Sequence, residues 1–532
     1  MTFRNADELA DAEIVSTDIC IVGAGAAGIT LALELEKSRF RVTLLESGDV
    51  EALEDADQLN DLEIAGHPLN VKAPIRRRAL GGTTIATYGR SVLLDPIEFE
   101  SRPWVSQRGW PIELNQLRRW YPQAADILAL PRVKLLEAEN WSQHPLPKIA
   151  GKHQLSTRIH LWGENTNLGN AWESRLRESE NIQVLLRATA LRCEADATGS
   201  KIKQLACRGL NGGTFSVHAR VFILACGGME NPRMLLLSRE AENAPAINWD
   251  PVGRFYMNHP RSQILAKIRL KRQTGRSSKR QQLNRIRWLI RHNDKRAKGA
   301  LQFALSPSEE LQRNEGLLNV SSFFYAVSDQ KTRDASSQLN KLATAWSSNK
   351  TQVISRTAQL SRYLPTLVGG AIHRFQDKPY RADHLVVVDQ CEQTPDYESR
   401  LLLGEGVDRF ACPKPLLDWQ IGPDTTRSLR RLHALMANFF GYMALGSFES
   451  KLLDDPSFEP HYQDCAHPTG TTRMSDNDHD GVVDRNCRVH GLQNLFMAGS
   501  SVFPVGGHAS PTFIIIALAA RLAAHLKKDL GY

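Results

Sequence analysis

The feature that most constrains this chain is a cluster of glycines set between apolar stretches near its start. Residues 18–23 read as a buried strand, Gly23-Ala24-Gly25-Ala26-Ala27-Gly28 as a turn, 28–37 as a helix, and 41–46 as a second strand that ends in an acid. Strand, glycine turn, helix, strand and acid make a parallel βαβ unit. Gly23 permits the tight turn, Gly25 lets the backbone approach a pyrophosphate, and Gly28 lets helix and strand pack closely. Ala26 and Ala27 open the helix, whose free N–H groups and dipole favour phosphate oxygens. Glu46, followed by Ser47, stands where an acid accepts hydrogen bonds from a ribose and disfavours a 2′-phosphate. A dinucleotide site is expected.

Strand–helix alternation returns at 184–186, 203–207 and 221–225, the last running into Gly227-Gly228, and a glycine-rich pattern resumes after 461. At 532 residues the chain exceeds one simple core. The expected class is α/β with an α+β second domain. A Rossmann-like domain built from 1–95, 151–255 and 461–532 is interleaved with a sheet-and-helix substrate domain of 96–150 and 256–460. A helix is expected over 114–128, a strand over 385–388, and a loose polar arm over 1–15. A fingerprint near one end, answered by motifs at the other, favours FAD over NAD, because a long cofactor needs walls from distant segments.

The formal charge of +8 is local. Residues 267–298 hold thirteen Lys/Arg and one acid, which leaves the rest of the chain at about −4. This is not a nucleic-acid-binding composition. Within that basic insertion, Arg285, Arg287 and Arg291 flank Trp288 and aliphatic residues. They could form a lid over an anionic substrate, a dock for an acidic partner, or a peripheral contact with anionic lipid, set against a plain solvated insertion. The eight cysteines form no Cys-x-x-Cys pair and give no zinc spacing, so a reducing cytoplasm is expected. No N-terminal apolar segment reads as a signal peptide. Asp476, Asp478 and Asp480 before Gly481 begin like a calcium loop, but position twelve is Cys487 rather than Glu, so no metal is expected.

Several further motifs occur in order: Leu80-Gly81-Gly82-Thr83-Thr84, Arg102-Pro103-Trp104 with Gly109-Trp110-Pro111, the stretch from Ala225 to Arg233, Gly253 to Pro260, His467-Pro468-Thr469-Gly470-Thr471, and Gly506-Gly507-His508-Ala509-Ser510-Pro511-Thr512. Together they resemble the glucose–methanol–choline (GMC) flavoprotein family, and the C-terminal half resembles its pyranose oxidase and sugar dehydrogenase members. The resemblance implies FAD, a small-molecule alcohol or sugar substrate, and hydride transfer to the flavin with His467 as base. It places Gly81, Gly82, Thr83, Thr84, Ala190, Ala225, Gly227, Gly499 and Ser500 along the cofactor, with Pro511 and Thr512 opening a helix aimed at the flavin. Some members carry a flavin-linked histidine in the 81–86 loop; this chain has none, so noncovalent FAD is expected. Where the family places a second His or Asn, this chain has Ser510, with His508 two residues earlier as the alternative. Arg90 could meet an anionic substrate or pair with Asp95. The electron acceptor (O2, a quinone or a protein) is left open. The Ser510 departure also admits a lyase-like use of the same pocket without net oxidation, and the basic segment admits a docking protein.

Overall fold

The computed structural model describes residues 3–69, 76–87, 89–106, 108–262, 265–271, 284–330 and 382–531, together with 282, 334 and 337. Among these, Phe3–Asn5, Ile182–Leu186, Val42–Leu45, Ile19–Val22, Val221–Leu224 and Leu495–Met497 lie in that order in a six-stranded sheet. Every neighbouring pair is parallel. The central strands Ile-Cys-Ile-Val, Val-Thr-Leu-Leu and Val-Phe-Ile-Leu are buried at every position, as a parallel sheet covered on both faces requires. From Ile19–Val22 the chain crosses first to Val42–Leu45 and later, on the other side, to Val221–Leu224. The direction of winding reverses there, and the crevice beyond such strand ends is where open α/β sheets bind ligands.

Residues 3–15, within the stretch expected as a loose arm, are ordered, with strands at both ends. Phe3–Asn5 is an edge strand of the parallel sheet, and Glu13–Ser16 pairs in parallel with Thr214–His218 in a four-stranded sheet completed by Ile202–Gly209 and Ala188–Ala195. The polar side chains hid this, because Ala6, Leu9 and Val15 are the fully buried apolar residues there, with Phe3 partly buried, while the backbone does the pairing.

The second domain is built on a large sheet with the order Gly446–Ser450, Ala266–Leu270, Ala382–Cys391, Val320–Ser328, Gly299–Pro307, Leu155–Trp162 and Arg90–Ser91. Its neighbours along this order are antiparallel. Leu155–Trp162 and Arg90–Ser91 thus lie in the substrate sheet, although they fall within the sequence ranges assigned to the nucleotide domain. The helix expected over 114–128 is two short helices, Leu114–Arg118 and Tyr121–Ile127, with Pro122 fitting the second because helix starts tolerate its missing N–H.

Part of the basic insertion and most of residues 328–352, a Ser/Gln/Lys-rich stretch, lie outside the described residues. Where the insertion is described, its apolar side faces inward. Ile286, Leu289 and Ile290 are buried, and the Trp288 ring packs 4.4 Å from His144, 5.7 Å from Phe303 and 6.0 Å from Trp141. Those side chains are therefore not free to dip into a lipid surface. Among the described residues no helix is long and apolar enough to cross a membrane.

Candidate active site between the two sheets

The glycine turn has the geometry its spacing implied. Gly23 has φ +100, and a Cβ there would sit 2.8 Å from the Ala225 carbonyl oxygen; a Cβ on Gly28 would run into the Gly23 carbonyl. Gly25 is different: nothing lies within 4 Å of where its Cβ would be, and the same holds for Gly227, at φ +83. Gly82 approaches Gly25, its Cβ position 3.0 Å from the Gly25 Cα, and Gly499 lies 3.8 Å from the Gly227 Cα by the same measure. The helix Ala26–Leu35 has no side-chain cap and no acid in its first turn, so its N–H groups stay available. Glu46 is buried, its two oxygens accepting from the Ala24 and Gly48 N–H groups at 2.9 Å each. Burial raises its carboxyl above the usual value, and those N–H groups oppose the rise. A carboxylate so held keeps lone pairs for hydroxyls. The Ser47 Oγ accepts from Arg78 at 3.0 Å, and Ala190 lies half-buried on the strand Ala188–Ala195. An open, backbone-lined cradle beside an uncapped helix and a buried acid fits a dinucleotide such as FAD.

The segment after 466 is laced to this cradle. The Thr471 hydroxyl donates to the Gly228 carbonyl, that of Ser500 to the Pro468 carbonyl, and that of Thr472 to Ser501. The Asn231 amide donates to the Ala498 carbonyl and the Ser501 hydroxyl, while its oxygen accepts from the Cys226 N–H. The motif residues of three distant segments are thus the fasteners of one junction. Ala466 has φ +55, a left-handed backbone that residues other than glycine seldom take, directly before His467.

His467 is not alone. Its Nδ1 lies 2.8 Å from the Nδ1 of His259, and the His259 Nε2 lies 2.9 Å from the Gly507 carbonyl oxygen. A carbonyl only accepts, so His259 carries its proton on Nε2 and, when neutral, offers a bare Nδ1. His467 must then donate from its own Nδ1, and its Nε2 is left as the basic nitrogen. Asn258 fixes the backbone beneath both rings, its side-chain oxygen accepting from the N–H groups of His259 (2.8 Å), His467 (3.1 Å) and Cys465 (3.2 Å). Burial, then His259, then the guanidinium charges of Arg90 and Arg261 hold the His467 pKa well below the usual histidine value. Burial brings His259 down to about 4.

The loop before the last helix supplies the opposite wall. His508 is fully buried and its Nδ1 lies 3.0 Å from Glu98, which also accepts the His508 backbone N–H at 2.8 Å. Burial disfavours charge on both groups, yet their mutual attraction wins: His508 is raised, and Glu98 is brought down to about 2. Asn319 donates to both Glu98 and Asp95, and Asp95 pairs with Arg158. His508 is therefore anchored to Glu98 behind the loop, in a contact that favours its charged form. Gly507, at φ +63, admits that packing, since a Cβ would meet Glu98 at 2.7 Å. Ser510 is buried too, and its Oγ accepts from the Arg90 Nη2 at 3.3 Å. Of the two readings of Arg90, pairing with Asp95 is excluded, because Arg158 holds that carboxylate. Pro511 is the N-cap of Thr512–Asp529, whose N-terminus has no side-chain cap.

Sequence reasoning missed His259, Gln390, Glu98 and Asn319. His259 stood inside the quoted 253–260 motif, next to Asn258, and that was its one signal. The Asp476–Gly481 turn closes on its own groups, Asn477 donating to Asp480 at 2.6 Å and Arg485 pairing with Asp476 at 2.9 Å.

Comparisons with known proteins agree with this fold. The GMC oxidoreductase family model matches residues 395–519, and an NAD(P)-binding Rossmann-like domain model matches 21–50. The chain is 21% identical to the fructose dehydrogenase large subunit of Gluconobacter japonicus, over 97% of this chain and 99% of that protein. It is 30% identical to paromamine 6'-oxidase of Streptomyces fradiae over 33% of each. Its fold matches that of a formate oxidase (TM-score 0.56, 17% identity, 98% of this chain and 99% of that one). It also matches that of pyridoxine 4-oxidase from Mesorbium loti (TM-score 0.54, 16% identity, 96% and 99%). The lyase-like alternative gains no support from these oxidases and dehydrogenases.

Proposed function

We propose that this chain, which belongs to the GMC oxidoreductase family, oxidises a CH–OH group of a sugar or sugar-like alcohol to a carbonyl, with His467 as the proton acceptor. The observation that carries this reading is the Gly507–His259–His467 hydrogen-bond chain. It leaves a neutral imidazole with a basic Nε2, the state a general base needs near neutral pH. FAD supplies the hydride acceptor when bound.

Gly25, Gly82, Gly227 and Gly499 give the cofactor backbone it can approach, and Glu46 accepts from its ribose. The Thr512–Asp529 N-terminus favours negative charge beside it. The loop from Gly81 to Thr87 holds no histidine, cysteine or tyrosine, which supports noncovalent attachment. As the donor loses a hydride from carbon, its hydroxyl proton passes to His467 Nε2, so one carbonyl forms and two electrons leave with the hydride. Ser510 offers its hydroxyl to the substrate beside the carbinol, and His508 holds the loop rather than touching the substrate. The name of the fructose dehydrogenase relative, a large subunit, supports a protein as electron acceptor as much as O2 or a quinone. The eight free cysteines support a cytoplasmic setting.

The test is an anaerobic absorbance scan of the purified protein against sugars, sterols and simple alcohols. Bleaching of the flavin band by sugars is expected, and bound flavin that no alcohol bleaches would overturn the reading.

A further inference from the structure

Arg90 lies on the short strand Arg90–Ser91 at the edge of the large sheet, with its guanidinium turned toward Ser510. Its Nη2 donates to the Gln390 side-chain oxygen at 3.0 Å and to the Ser510 Oγ at 3.3 Å, and its carbon sits 4.2 Å above the Phe323 ring. Gln390 is itself fixed, its amide donating to the His508 carbonyl at 2.7 Å. The guanidinium is therefore held from three sides by neutral groups. The buried arginines of the fold meet carboxylates: Arg102 pairs with Glu392 at 2.5 Å, Arg233 with Asp408 at 2.6 Å, and Arg158 with Asp95, whereas Arg90 is half-buried. Among the described residues Arg90 pairs with no carboxylate.

A second cation stands beside it. In the sheet Arg261 lies opposite Gln390, and Gln390 opposite Ser321, so the pleat puts their side chains on one face. No carboxylate pairs with Arg261 among the described residues. The charges of both arginines reach His467, and no acid contributes to its shift. Taking a guanidinium even partly out of water without a counter-charge is costly, and half-buried Arg90 has no carboxylate partner among the described residues. Ser510 accepts from Arg90, so its own hydroxyl proton is free to donate outward. An oxyanion could accept from both.

We infer that the alcohol oxidised here carries a carboxylate, as a hydroxy acid or sugar acid does, and that Arg90, with Ser510 beside it, binds that carboxylate. The inference rests on the proposed alcohol oxidation and narrows its substrate class. The carboxylate supplies the missing counter-charge, and its charge-assisted hydrogen bonds orient the carbinol toward His467.

The test is anaerobic flavin reduction by the holoenzyme with donors paired by charge: a hexose against its hexonic and hexuronic acids, and glycerol against glycerate. The acid of at least one pair should half-saturate at a tenth of its neutral partner's concentration or less. Arg90→Gln should shrink that acid-to-neutral preference by about tenfold or more, the scale of one lost hydrogen bond to a charge, and Arg90→Lys should keep part of it. Acetate and inorganic phosphate, titrated separately against the flavin spectrum, distinguish a carboxylate site from a general anion site. Acetate binding that weakens in Arg90→Gln supports the inference, and binding of phosphate alone overturns it. Neutral donors that reduce the flavin as readily as acids, or a preference that survives in Arg90→Gln, overturn it while alcohol oxidation stands. Reduction by no donor of either charge overturns both.

Discussion

Around the dinucleotide cradle, the groups that face a ligand are mostly backbone: the Gly25 and Gly227 main chain, the N-terminus of Ala26–Leu35, and one carboxylate, Glu46. Around the base, they are side chains from four distant segments: His259, His467, Arg90 and Ser510. The difference follows from the ligands. A pyrophosphate is the same in every dinucleotide and can be bound by N–H groups that any sequence possesses, provided glycine clears the approach. A particular alcohol must be recognised by particular donors and acceptors, and those come only from side chains.

Substitutions can break this contrast. The largest effect is expected from Gly25→Asp. The fold has room for the side chain, but its charge would face the phosphates. The protein should fold with an unchanged melting temperature and yet purify without flavin absorbance; full flavin content would show that the backbone there does not bind the cofactor. Gly28→Val should instead cost at least about 1–3 kcal/mol of stability, since its Cβ would strike the Gly23 carbonyl and force the backbone apart.

On the side-chain half, His259→Ala should keep the flavin and slow its reduction by about tenfold or more, because the tautomer of His467 is no longer dictated. It should also move the pH profile. Protonation removes the acceptor at His467 Nε2, and that pKa is depressed, so the wild-type rate should be flat from about pH 6.5 upward, the unperturbed histidine value, and fall only on the acid side. Without His259 the His467 pKa rises and the acid limb should shift to higher pH. A role in packing alone would slow the enzyme without moving that limb.

A smaller effect concerns stability. His259 titrates near 4 when folded and near the usual histidine value when unfolded, so the unfolded chain binds more protons between the two. Its contribution is complete above the unfolded value and is lost as pH falls toward about 4. The thermal midpoint should drop between pH 7 and 5, and drop less in His259→Ala. The smallest effect is expected from Ser510→Ala, roughly two- to tenfold on substrate affinity for one hydrogen bond, with flavin content unchanged.

The contrast also explains what could be read without the fold. The parallel sheet was legible because its strands are unbroken apolar runs and its turn needs glycine at fixed offsets. The candidates His467 and Ser510 were marked by the motifs around them. The His467–His259 contact joins residues 208 apart, and the Arg90–Ser510 contact residues 420 apart, so no local pattern announces either. The edge strand Phe3–Asn5 was missed because its role is backbone pairing, which leaves almost no trace in side-chain polarity. Leu155–Trp162 lies in the large sheet although the range 151–255 was assigned to the nucleotide domain, because a strand's pattern does not name its neighbours.

The central claim is that His467 Nε2 takes the donor's proton. The most direct measurement is the rate of anaerobic flavin reduction by rapid mixing, in wild type and in His467→Ala, at matched flavin content. The account predicts that His467→Ala still binds flavin but is reduced at least roughly 10²-fold more slowly, the low end for loss of a general base. Equal rates in the two proteins would contradict it.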